Sequence, residues 1–120
     1  MVRSEPLKIL SPGRKVDWVY VDDAISGLLA AAVTPGLEGK SIDIGSGEFV
    51  EISDVVHRIQ QLVKSRSVVD FVAPRERVFE QVRCADTART QALMGWRPSI
   101  SLDAGLAKTV DYYGQSISDK

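Results

Sequence analysis

Residues 16–33, VDWVYVDDAISGLLAAAV, limit what this chain can fold into more than any other stretch. The apolar and aromatic run 16–21 reads as a strand, and the residues after it predict a helix at about 22–33, with Asp22 or Asp23 as N-cap and Pro35-Gly36 as its stop. Ala24, Ile25, Leu28, Leu29, Ala32 and Val33 recur at helical spacing, and between Ala24 and Val33 only Ser26 is polar. A helix that is apolar nearly all round needs cover on most of its sides. A chain of 120 residues fits one domain with one core, which leaves little else to supply that cover.

The remaining elements are short. LKIL (7–10) reads as a strand set off by the turn Ser11-Pro12-Gly13, and KSIDIG (40–45) as another that leads through Gly45-Ser46-Gly47 into a helix at 53–64. Val55, Val56, Ile59, Leu62 and Val63 form the apolar stripe of that helix, and SVVDFV (67–72) is again strand-like. Asp86 can cap a short helix that ends at Gly95, and Ser101 a last one with Leu102, Leu106, Val110 and Tyr113 on one face. The class is mixed α/β, with residues 1–120 as a single domain.

With 44% hydrophobic and 26% charged residues, the composition is that of an ordinary globular protein. A formal net charge of −1 gives no general electrostatic reason to expect nucleic acid or anionic lipid as a partner. One cysteine and one histidine assemble neither an internal disulfide nor a zinc-type cluster. The first ten residues lack the apolar run of a signal peptide, and no segment nears the roughly 20 apolar residues of a membrane span, so a cytoplasmic location is expected.

Strand 40–45, Gly45-x-Gly47, a helix and Asp70 together imitate a dinucleotide-binding βαβ unit. The pattern needs a third glycine where the helix packs on the strand, and Val50 stands there, so a plain glycine-containing turn is the better reading. His57 lies off the apolar stripe of its helix and reads as a solvated residue, and Cys84 as a spectator thiol. Asp22 and Asp23 could form an acid pair, but capping is the simpler account of both. No catalytic residue emerges.

The stretches GRKVDWVYVDDAISGLLAAA, IDIGSGEFVEISDVVHRI and PRERVFEQVRCADTARTQALMGWRPSISLDAGLAKTVDYY together resemble the C-terminal, substrate-binding part of extended short-chain dehydrogenase/reductases. The resemblance is to the NAD-dependent epimerase/dehydratase family that acts on nucleotide sugars. Val19-Tyr20-Val21-Asp22-Asp23 and the run from Ala85-Asp86-Thr87 to Leu93-Met94-Gly95-Trp96-Arg97-Pro98 are its most specific pieces. It implies a parent fold whose N-terminal Rossmann half holds NAD or NADP on a glycine-rich loop and carries a catalytic Tyr-x-x-x-Lys pair. Neither feature lies in these residues: four positions after Tyr20, Tyr112 and Tyr113 stand Ala24, Ser116 and Ile117. No cofactor binding and no turnover are therefore expected of this chain alone.

The resemblance also implies two arginines that reach the sugar-nucleotide diphosphate. At the first position stands Val16, with Arg14 and Lys15 close by; the second falls at Arg75 or Arg77, and Arg83 is a weaker candidate. A guanidinium suits the role because its forked donors match phosphate oxygens in pairs. By the same resemblance, Trp96 and Pro98 pack the two final helices together.

Two readings of different class follow. In one, the chain is a truncated or separated nucleotide-sugar-binding segment, active only with a Rossmann half; in the other, it is an independent non-catalytic binding or self-association module descended from such an enzyme. Either leaves helix 22–33 and strand 40–45 in need of cover, so a homo-oligomer, most simply a two-fold dimer, is expected. The competing expectation is a monomer in which the C-terminal helix covers the same face.

Overall fold

The computed structural model describes residues 7–10, 12–64, 69–72 and 83–118. Its elements run β1 (Leu7–Leu10), β2 (Lys15–Asp17), α1 (Val21–Val33), β3 (Phe49–Glu51), α2 (Ile52–Val63), β4 (Val69–Val72), α3 (Thr87–Met94) and α4 (Leu102–Ser118). They form two small sheets. β1 pairs with β4 in parallel, with Leu7 beside Val69, and β2 pairs with β3 antiparallel, with Val16 beside Val50. The β2 edge also holds the entry of α2, because the Ile52 and Ser53 amides donate to the Arg14 and Pro12 carbonyls. Trp18 Nε1 donates to the Val50 carbonyl at 3.1 Å and extends the same seam.

The expected strand at 40–45 is not one. A strand is defined by a partner ladder, and no described strand pairs with these residues. Side chains of α3 use their carbonyls instead: Arg89 donates to Ser41, and Thr90 Oγ1 donates to Asp43 at 2.6 Å. The strand expected at 16–21 stops at Asp17 because the helix already begins at Val21. Of the strand expected at 67–72, positions 67 and 68 lie outside the described residues.

Helix α1 is not capped by an aspartate. Its N-cap is Tyr20, in extended conformation and without a side-chain cap, while Asp22 and Asp23 fall within the first turn. There their charge suits the helix dipole. The caps expected for the last two helices are present: Asp86 accepts from the Arg89 amide at 3.1 Å, and Ser101 Oγ from the Ala104 amide at 3.1 Å. Gly95 ends α3 in the left-handed region, φ 69°.

Helix α2 packs against α4, with Val55, Val56 and Ile59 facing Leu102, Leu106 and Thr109 across an apolar cleft of about 360 Å³. Arg58 pins the pair from outside by bonding both Asp54 and Asp103. Leu62 is exposed and so falls outside the expected stripe. The inner face of α1 lies on Ile44 and Trp96, so close that a Cβ at Gly27 would come within 2.8 Å of Ile44 Cγ2 and 3.1 Å of Trp96 Cζ2. Trp96 Nε1 donates to Ser26 Oγ at 2.9 Å. Trp96 therefore packs on α1, and Pro98 lines a cleft with Trp18, Val50 and Leu102.

The outer face of α1 is bare. Val21, Ile25, Leu28, Leu29 and Val33 are at least half exposed, from 50% for Ile25 to 81% for Val33. The expectation that α4 would cover this face is overturned, since the apolar side of α4 is committed to α2. Val55 and Val56 are the buried hydrophobic side chains among the described residues.

Candidate functional site

A cleft of about 350 Å³ opens between the end of β2, residues 42–45 and residues 83–85, with Asp17, Asp43, Arg83 and Cys84 on its walls. Its floor is built around one carboxylate. Asp17 Oδ1 accepts from the Ser46 amide at 2.7 Å and the Ser46 hydroxyl at 2.5 Å; Oδ2 accepts from the Gly47 amide at 3.1 Å and the Ala85 amide at 2.9 Å. The Gly45-Ser46-Gly47 turn thus aims its amides at the chain's own aspartate. Gly47 adopts φ 80°, where glycine is favoured, and a Cβ on Gly45 would lie 2.8 Å from Ala85 Cβ and 2.9 Å from Asp17 Oδ2. Ala85 Cβ cannot swing aside and Asp17 Oδ2 is held by its hydrogen bonds, so Gly45→Ala is expected to cost about 1–3 kcal/mol in a urea titration.

Burial alone would raise the Asp17 carboxyl, but the Ser46 hydroxyl and the amides of Ala85, Ser46 and Gly47 outweigh it and hold the group below the ordinary 3.8. A carboxylate with a depressed folded value stabilises the fold above the unfolded value, and that contribution is lost as pH falls through the folded one. Asp17→Asn is therefore expected to lower stability at neutral pH and to flatten its decline below about pH 4, the ordinary carboxylate range. Acid titrations of the two proteins followed by circular dichroism would check this; parallel curves would contradict it.

Cys84 Sγ lies 3.8 Å from Asp17 Oδ2, and desolvation, followed by the Asp17 charge and hydrogen bond, pushes its thiol upward. A thiol held protonated is a poor nucleophile, in keeping with a spectator role. His57 is exposed on α2 and meets the Phe71 ring edge-on at 5.8 Å. Val16 sits in the β2–β3 ladder, with Lys15 exposed beside it. Arg75 and Arg77, the candidate phosphate ligands, lie outside the described residues. Arg83 stands at the cleft mouth, its side chain 75% exposed and 3.6 Å from Asp43 Oδ1.

Asp22 and Asp23 do not form an acid pair. Asp22 is exposed, whereas Asp23 is only 3% exposed and accepts from the Ser99 amide and hydroxyl and from the Ile100 amide. Asp17, Asp23 and Asp43 are the residues that reading the sequence missed as anchors. An available signal was an acid within an apolar run, because a carboxylate in such a place must find donors.

No family model matches the chain. Its fold is that of part of an extended short-chain dehydrogenase/reductase. A UDP-glucose 4-epimerase from Thermotoga maritima, solved with UDP-glucose, superposes with a TM-score of 0.85 at 25% identity, over 98% of this chain and 37% of the epimerase. A UDP-glucuronic acid 4-epimerase from Bacillus cereus, solved with UDP-glucuronic acid and NAD, superposes with a TM-score of 0.83 at 29% identity, over 97% of this chain and 37% of that one. Among curated proteins, a UDP-glucuronate 4-epimerase of Thermodesulfobacterium geofontis is 26% identical over 94% of this chain and 35% of its own length. A dTDP-glucose 4,6-dehydratase of Haemophilus influenzae is 29% identical over 93% and 36%. The chain spans about a third of the length of the curated relatives it matches. It resembles the C-terminal part of the nucleotide-sugar epimerases and dehydratases.

Proposed function

We propose that these residues are the nucleotide-sugar-binding segment of an NAD-dependent sugar epimerase or dehydratase, and that turnover needs a Rossmann half from beyond them. The observation that carries this reading is the bare outer face of α1, on a chain that aligns almost whole with only a third of its relatives. Val21, Ile25, Leu28, Leu29 and Val33 make a continuous apolar stripe, which solvent does not reward and a second body would. In this reading the Rossmann half covers the stripe. When the chain is alone, a second copy covers it, most simply across a two-fold axis.

The segment's own contribution is recognition. Arg75 and Arg77 hold the diphosphate, while the Rossmann half supplies the nicotinamide cofactor and the acid–base pair. Each charge-assisted hydrogen bond contributes roughly 1.5–3 kcal/mol, and Val16 in place of the first arginine removes one such contact, so binding at about millimolar strength is expected. Calorimetric titration of UDP-glucose, UDP-glucuronate and dTDP-glucose into the chain tests this. Weak saturable binding that the double replacement Arg75→Ala, Arg77→Ala abolishes without loss of fold supports the reading; binding the double variant retains would contradict it. The same titration with NAD is expected to show no saturation in the micromolar range.

A further inference from the structure

We propose that residues 83–100, comprising α3 and its flanks, form a strap that is released from the rest of the molecule as one unit, opening the cleft beneath it. The strap is fastened at both ends by carboxylates from the first part of the chain. At its start, the Ala85 amide donates to Asp17 and the Asp86 amide to Asp43, at 2.9 and 3.0 Å. At its end, the Ser99 and Ile100 amides donate to Asp23, at 3.1 and 2.9 Å. Between the ends, the fully buried Thr90 bonds the Asp43 carbonyl and Arg89 bonds that of Ser41.

Apolar contact is concentrated at the end of the strap, where Ile100 lines the α2–α4 cleft with Val55 and Val56. The buried hydrophobic side chains among the described residues, Val55 and Val56, both lie on α2 and outside the strap. Trp96 rests on Gly27 and is itself only half-buried. A segment held by a few polar fastenings, beside a helix pair held by packing, has the makings of a cooperative unit that opens below the global unfolding free energy. Residues 83–85 form one wall of the 350 Å³ cleft, so release of the strap opens the Asp17 site to solvent and ligand.

Native-state amide exchange of the whole chain in low urea tests the proposal. The amides of Ala85, Thr90, Gly95, Ser99 and Ile100 are expected to share one opening free energy, lower than that of the α2 amides at Val55, Val56 and Ile59. In Asp23→Asn, all five strap amides are expected to exchange at least tenfold faster by one common factor, their shared opening free energy staying below that of the α2 amides. Thr90→Val removes one fastening with little change of shape and gives the same pattern more weakly, so it reads the outcome if Asp23→Asn does not fold. If Asp23→Asn speeds only Ser99 and Ile100, or if strap and α2 open together in the unaltered chain, the strap is not a separate unit.

Discussion

Replacing Asp23 with alanine is expected to weaken the hold of residues 99–100 on α1 by about 3 kcal/mol, because hydrogen bonds to a charged group contribute roughly 1.5–3 kcal/mol each and this carboxylate receives two amides. The amides of Ser99 and Ile100 would lose their acceptor beside a residue that is 3% exposed, and an alanine cannot replace it. Urea titration followed by tryptophan fluorescence reads the loss, since Trp96 rests on the same helix. A change below about 0.5 kcal/mol, within the range of ordinary surface substitutions, would mean that water substitutes freely for the carboxylate and that Asp23 is no anchor.

The second large effect belongs to the outer face of α1. Leu28→Lys or Leu29→Lys places a charge in the middle of the apolar stripe, where both leucines are more than half exposed. At about 25 cal/mol per Å², a few hundred Å² of covered apolar surface contributes several kcal/mol to association, and a desolvated lysine offsets much of it. Either substitution is expected to convert an associated species to monomer in sedimentation while leaving the helical content unchanged, because neither side chain supports the chain's own core. An unaltered assembly would place the interface elsewhere.

Much of the fold could be read from the sequence because its signals are local. The helix at 21–33, the α2 stripe around Val55 and Val56, the Asp86 and Ser101 caps and the Gly95 stop all come from residues within a few positions of one another. What misled the reading was pairing. The run KSIDIG has the alternation of a strand, but a strand also needs a partner, and α3 side chains take its Ser41 and Asp43 carbonyls. Asp23 looked like a cap for the same reason: its position before an apolar helix is a local signal, whereas its true donors lie 76 and 77 residues away. The glycine turn resembled a cofactor loop because spacing cannot tell amides that await a phosphate from amides already given to Asp17.

An apolar stripe that the chain's own C-terminal helix leaves uncovered, on a segment matching a third of its relatives, is what one part of a larger assembly would present. The most direct test is the mass of the purified chain in solution, by light scattering at tens of micromolar. A species of at least twice 13.1 kDa is expected, which Leu29→Lys reduces to the monomer. A monomeric mass for the unaltered chain, with no binding of a hydrophobic dye to the exposed face, would contradict it.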